Sequence, residues 1–348
     1  MKPKPFRVAL SASFKSAEGT LTYPSFDLSP LTSAENIEMF FLPPGDPVAA
    51  QDLEEADALI LLSERFTADS IPASGRLGVV ARFGVGYDSV DVDACTASDI
   101  AVCITPDGVR RPVAVSILTL MLALTGKLLI KDRLTRSGPE GFNARSNHMG
   151  VGLAGLTLGS VGLGNIGAEM FRVSQPLDMH YIAFDPYANP DTAAELGVTL
   201  VDIESVFNQS DVLAINCPLT DDTHHLVNAT RLADMKSTAY LINTARGPIV
   251  DQAALTDALK TGQLAGAGLD VFETEPPDAA DQLLALDNVI VTPHALCWTD
   301  QCFAGIGASD VVSVLDVCAG RIPTGLVNSA VAEREGFRRK LSGYPGVT

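Results

Sequence analysis

Positive charge is scarce in this 348-residue chain: 24 lysines and arginines stand against 42 aspartates and glutamates, giving a formal net charge of -18. Such a balance repels phosphate backbones and anionic lipid, so nucleic acid and membrane are not expected partners. Metal-ligand spacing is also missing. The six cysteines (Cys95, Cys103, Cys217, Cys297, Cys302, Cys318) form no C-x-x-C pair and no metal-binding spacing with histidine, and they read as reduced thiols of a cytoplasmic protein with no bound metal. No apolar run has the roughly 20 residues needed to cross a bilayer. The greasiest, ILTLMLALTGKLLI (117–130), includes Lys127 and is expected to be a buried helix. The opening MKPKPFRVALSAS lacks the apolar core and small-residue cleavage site of a secretory signal and reads as a leading segment entering a strand. Histidine occurs five times and tryptophan once, so their settings are informative.

What the chain does contain is globular: 47% of its residues are hydrophobic and 19% charged, and its length suits two domains. Short apolar or β-branched runs (FRVAL, ALILL, LGVVARF, IAVCI) alternate with helical patterns through the first hundred residues. A second series begins at LTLGSVGLG and continues through HYIAFDPY, DVLAINCP, AYLINTAR, GAGLDVF and NVIVTPH. Alternation of this kind predicts α/β architecture, with two Rossmann-like or flavodoxin-like parallel-sheet domains and a cleft between them. In DQAALTDALKTG (251–262), Asp251 can cap a helix, Leu255 and Leu259 share a face, and Gly262 can end it. A long helix, PVAVSILTLMLALTGKLLI, precedes the second series, and another, QCFAGIGASDVVSVLDVCAG, follows it. The chain is therefore expected to leave its first domain, build the second whole, and return. The closing VAEREGFRRKLSGYPGVT reads as a tail or a short surface helix.

GSVGLGNIG places Gly162, Gly164 and Gly167 in a G-x-G-x-x-G pattern between a strand-like run and a helix start. The pattern supplies a tight turn, a bare backbone for a pyrophosphate, and a helix N-terminus that attracts the anion. Asp185 ends the next strand, where a carboxylate would bind ribose hydroxyls and repel a 2'-phosphate, so NAD (NADH) is favoured over NADP. Hydride transfer to a carbonyl also moves a proton, which requires a proton carrier and a substrate grip. Three strand-end motifs offer them: Arg246 in NTARGPIVD, Glu275 in DVFETEP and His294 in TPHALCW.

These motifs, in this order after the glycine turn, resemble the D-isomer-specific 2-hydroxyacid dehydrogenases, and RFGVGYDSVDVDA, CPLTDDTHHLV and GRIPTGLVN extend the likeness over most of the chain. The resemblance implies a discontinuous substrate domain (1–107 plus 299–348), an NAD-binding domain (108–298), and interconversion of a small D-2-hydroxy acid with its 2-keto acid. His294 then matches the acid/base. Glu275 matches its carboxylate partner, expected to favour the imidazolium and hold the ring. Arg246 matches the grip on the substrate's carboxylate and carbonyl oxygen, and Val85 and Gly86 the backbone amides that hold the same carboxylate. Around the cofactor, Asn165 and Ile166 sit in the phosphate turn, Cys217 and Pro218 line the site, Thr244, Ala245 and Arg246 pass near nicotinamide, and Asp270 matches the aspartate at the carboxamide. A homodimer is implied as well.

Two stretches depart from the family pattern. Leu296, Cys297 and Trp298 replace smaller residues after the histidine, so Trp298 either restricts the substrate or packs on the returning helix. Arg110 and Arg111 either receive a second anionic group of the substrate or are exposed to solvent. Glu273 reads as a neighbour of Glu275 without a role, and His148, His180, His224 and His225 as ordinary surface or packed residues. Glyoxylate, hydroxypyruvate and phosphohydroxypyruvate are plausible keto substrates. The competing readings are an NAD-sensing protein of the corepressor type, without turnover, and a formate- or phosphonate-type dehydrogenase, of which Glu275 disfavours the formate version.

Overall fold

The computed structural model describes residues 4–346. The chain divides into two compact units, the first running to residue 109 and resuming at 298, the second spanning 110–297.

In the first unit, β1 (Phe6–Leu10), β2 (Ile37–Phe41), β3 (Ala58–Leu61), β4 (Val79–Arg82) and β5 (Ala101–Cys103) form a parallel sheet in the order β2-β1-β3-β4-β5. This is the doubly wound order of flavodoxin-like sheets. β3 and β5 are buried at every position, so they read in sequence as unbroken apolar runs. β2 lies at the sheet edge with one of its five residues buried, and its IEMFF lacks that signature. The returning chain is stitched to β5 by Asn328, whose Oδ1 accepts from Val102 N and whose Nδ2 donates to Ile100 O, each at 2.9 Å. The C-terminal stretch is no loose tail: it forms the helix Glu335–Gly343, which buries Phe337 and Leu341. Beyond it, the Tyr344 hydroxyl donates to Arg76 O at 2.7 Å.

The second unit holds β6 (Thr157–Val161), β7 (His180–Phe184), β8 (Val198–Leu200), β9 (Val212–Ile215), β10 (Tyr240–Asn243), β11 (Gly266–Leu269) and β12 (Val289–Val291). All pair in parallel, in the order β12-β11-β10-β9-β6-β7-β8. The order reverses between β6 and β9, and ligands of such sheets bind outside the carboxyl ends of strands at that reversal. Leu213, Ile215, Leu241, Leu255, Leu259 and Leu269 lie in the core beneath it.

The apolar run 117–130 is not one buried helix. The helix Pro106–Thr125 stops, Lys127 takes a left-handed backbone (φ 53°), and a separate helix, Leu128–Arg136, buries none of its residues. Glycine at 126 followed by a left-handed residue ends a helix as a Schellman-type turn would. By length and composition, Pro106–Thr125 and Asp300–Cys318 could each cross a membrane, yet over half of each tested stretch, 56%, is buried, as in core helices of folded domains.

Candidate active site

Two glycines of the β6 turn are required by the packing and backbone around them. Gly162 has φ +102°, and a Cβ there would lie 2.7 Å from the Asn216 carbonyl. A Cβ on Gly167 would lie 2.5 Å from Gly162 O, so this glycine lets the helix pack on the turn. Gly164 faces open space, and no side chain caps the helix Asn165–Ser174 that it begins. A bare backbone leading into an uncapped helix N-terminus fits the pyrophosphate of a dinucleotide, held by the amides around Asn165 and Ile166. Asp185 follows β7, and its two oxygens accept from Leu163 N and Tyr187 N, both at 2.8 Å. It thus braces the glycine turn.

The remaining cofactor candidates also leave carboxyl ends of strands. Cys217 and Pro218 follow β9, and burial pushes the Cys217 thiol up to about 11, which makes it a neutral wall rather than a nucleophile. Thr244, Ala245 and Arg246 follow β10, where the buried Asn243 shapes the turn: its Oδ1 accepts from Ala245 N at 3.0 Å and its Nδ2 donates to Arg246 O at 2.9 Å. Asn243 was not singled out by motif. An asparagine closing an apolar strand just before TARG is the signal that could have found it.

His294 has φ 53°, a left-handed backbone uncommon for a residue with a Cβ. Asp270 holds that turn. The Asp270 carboxylate is 4% exposed; its Oδ1 accepts from Thr292 Oγ1 at 2.6 Å, Ala295 N at 3.1 Å and Leu296 N at 3.2 Å. These bonds commit it to the histidine turn, a task the sequence did not disclose. His294 Nδ1 lies 2.8 Å from Glu275 Oε2, while Glu275 Oε1 accepts from Phe272 N at 3.0 Å. Burial pushes the Glu275 carboxyl up, but hydrogen bonds from His294 and Phe272, with the charges of His294 and Arg246, bring it below its ordinary value. Arg246 Nη1 donates to Ala245 O at 2.7 Å. Glu275, Arg246 and His294 thus come from three consecutive strand ends of one sheet.

In the first unit, Val85 and Gly86 follow β4. The loop is pinned to the end of β5, where Gly84 N donates to Thr105 Oγ1 at 3.0 Å and Thr105 N donates to Gly84 O at 2.9 Å. Trp298 packs on the returning helix: its ring is edge-on to Phe303 at 5.3 Å and to Tyr23 at 5.6 Å, and the indole remains 44% exposed.

The Arg111 side chain is 58% exposed, and its Nε lies 2.5 Å from Glu169 Oε1, on a carboxylate that is almost wholly buried. Arg110 precedes it on the same helix and is half-buried. His225 and Glu273 are both part-exposed, and Glu273 Oε1 lies 2.5 Å from His225 Nε2. Among the described residues no cluster of histidine, cysteine or acidic residues could hold a metal ion.

Fold and glycine turn together define a dinucleotide-binding α/β protein. The sequence pattern of the D-isomer specific 2-hydroxyacid dehydrogenase NAD binding domain matches residues 118–295. A glyoxylate reductase of Korarchaeum cryptofilum is 36% identical over 293 residues, 84% of this chain and 88% of that protein. A D-3-phosphoglycerate dehydrogenase of Archaeoglobus fulgidus is 36% identical over 268 residues, 76% of this chain, which spans half, 50%, of that longer protein. The solved TT0316 protein of Thermus thermophilus superposes with a TM-score of 0.77 at 29% identity, over 92% of this chain and 100% of that one. The chain belongs to the D-isomer specific 2-hydroxyacid dehydrogenase family and is an NAD-binding oxidoreductase of that kind.

Proposed function

We propose that the protein reduces a small 2-keto acid to its D-2-hydroxy acid with NADH, and catalyses the reverse reaction, with His294 as the proton carrier. The observation that carries this reading is the 2.8 Å contact between His294 Nδ1 and Glu275 Oε2, which commits one ring nitrogen and leaves Nε2 to serve the substrate. When bound, the nicotinamide supplies the hydride. His294 Nε2 gives a proton to the nascent alkoxide and removes it in the reverse direction, while Glu275 fixes the ring and balances its charge. The planar fork of Arg246 grips the carboxylate and polarises the carbonyl. The glyoxylate reductase and phosphoglycerate dehydrogenase relatives support a short, polar keto acid such as glyoxylate or hydroxypyruvate. Asp185 favours NADH over NADPH because a carboxylate repels a 2'-phosphate. The same reading makes the protein a cytoplasmic homodimer, to be checked by sedimentation.

The test is NADH oxidation by a panel of 2-keto acids. His294→Ala is expected to lower kcat by ~10²–10⁴, the usual contribution of a positioned acid/base, while NADH still binds. An undiminished kcat in His294→Ala removes the proton-carrier reading. Tight NADH binding without turnover on any panel member would instead favour a sensor.

A further inference from the structure

The loop between β11 and β12 carries two glutamates, one on either side of Thr274, and each meets a histidine. Glu275 meets His294. Glu273 Oε1 lies 2.5 Å from His225 Nε2, with the His225 and Glu273 side chains 36% and 35% exposed. A pair so open to water is not forced together by burial.

His225 is held from behind. Its backbone is left-handed (φ 50°), and its N donates to Pro248 O at 2.8 Å. Val227 N donates to Ile249 O at 3.0 Å and Asp251 N to Val227 O at 2.9 Å, so residues 225–227 run as a rung beside 248–251, directly after Arg246. The His224 ring stacks on that of His225, with centroids 4.1 Å apart and 27° between planes, which restricts ring rotation. Glu273 is tied to the same stretch. Its N donates to Gln252 Oε1 at 3.1 Å and its Oε2 accepts from Gln252 N at 3.4 Å. Gly247 permits the contact, since a Cβ there would lie 1.8 Å from Phe272 O.

Three loops therefore meet at one ion pair: the one after β9 with Cys217 and Pro218, the one after β10 with Arg246, and the one after β11 with Glu275. We propose that His225 and Glu273 are positioning residues for the reaction, fixing the Glu275 loop against the Arg246 turn and so setting the orientation of Glu275 and His294. Neither touches the substrate. The proposal rests on His294 being the proton carrier.

Steady-state kinetics of the full chain test it, with thermal midpoints and NADH binding recorded for every variant. His225→Ala and Glu273→Ala are each expected to lower kcat about 10-fold or more, as loss of supporting contacts around a reactive group does. KM for NADH should stay within about threefold, which separates lost alignment from lost binding. The double variant should be no slower than the slower single, because the two act as one unit. His225→Gln is expected to recover much of the rate, since its side-chain amide reaches about as far as the imidazole Nε2 and can donate to Glu273. Wild-type kcat in either alanine variant, multiplying losses in the double, or no recovery with glutamine overturns the proposal. A silent His294→Ala would sink the proton-carrier reading. An inactive His294→Ala beside a fully active His225→Ala would sink only the positioning role.

Discussion

Asp270→Ala removes the acceptor shared by the Thr292 hydroxyl, Ala295 N and Leu296 N, at 2.6, 3.1 and 3.2 Å. Hydrogen bonds to a charged acceptor contribute about 1.5–3 kcal/mol each, and a buried donor left without a partner costs about 1–3 kcal/mol. The three donors are only half-buried, so water replaces part of what is lost. A net destabilisation of about 3 kcal/mol is expected, far short of the sum of three separate bonds. At about 2–4 °C per kcal/mol for a unit of this size, the thermal midpoint should fall by roughly 6–12 °C. Activity should fall more steeply than stability. The left-handed backbone of His294 costs of order 1–3 kcal/mol, and the Asp270 clamp is what holds it. Released, the turn relaxes and the imidazole leaves Glu275, and a displacement of about 1 Å costs on the order of 10²-fold in rate. The assay is NADH oxidation well below the variant's midpoint, with Asp270→Asn alongside it. That variant retains one acceptor oxygen and should fall between the two. An Asp270→Ala protein that melts within about 1 °C of wild type and keeps its kcat/KM would refute the clamp.

Other substitutions probe separate parts of the molecule. Gly247→Ala pushes a methyl into the Phe272 carbonyl, 1.8 Å from the built Cβ, and should cost about 3 kcal/mol in chemical denaturation together with most of the activity. Asp310 is fully buried, and both its carboxylate oxygens lack a hydrogen-bond partner among the described residues. Burial raises its pKa well above the carboxylate range, with the Arg82 charge opposing. Because the folded pKa is the higher one, its contribution to stability is complete below about pH 4 and is lost as pH rises through the folded value. Asp310→Asn should therefore flatten the stability profile above that pH, and an unchanged slope in thermal midpoint against pH would count against a neutral buried acid. Asp185→Ser should raise the kcat/KM ratio of NADPH to NADH, and a ratio equal to wild type would assign cofactor choice elsewhere.

The glycine turn was legible because two of its glycines answer local demands of the backbone, and β9, β10 and β11 because burial at every position keeps them largely apolar, while the short β8, with one buried residue, escaped. β2 escaped because an edge strand needs no such composition, and the break at Lys127 because a lysine in the left-handed region leaves no mark in an apolar run. The His294–Glu275 pair was readable through motif order, while His225–Glu273 was not. That contact depends on residues 225–227 lying along 248–251, a register no short motif encodes. Arg111 shows the same limit from the other side: its charge was evident, but the buried Glu169 that takes it sits inside a helix whose sequence advertised only cofactor binding.

The left-handed backbone at position 294 separates the shape of the site from its chemistry. Asparagine adopts that conformation readily and keeps an amide where the imidazole stands, but it neither gains nor gives up a proton near neutral pH. His294→Asn is thus the substitution best suited to preserve the turn, the Asp270 clamp and the substrate's resting place while abolishing transfer. Such a protein would hold cofactor and keto acid together without consuming either, and the ternary complex could then be captured with the natural substrate rather than an inhibitor.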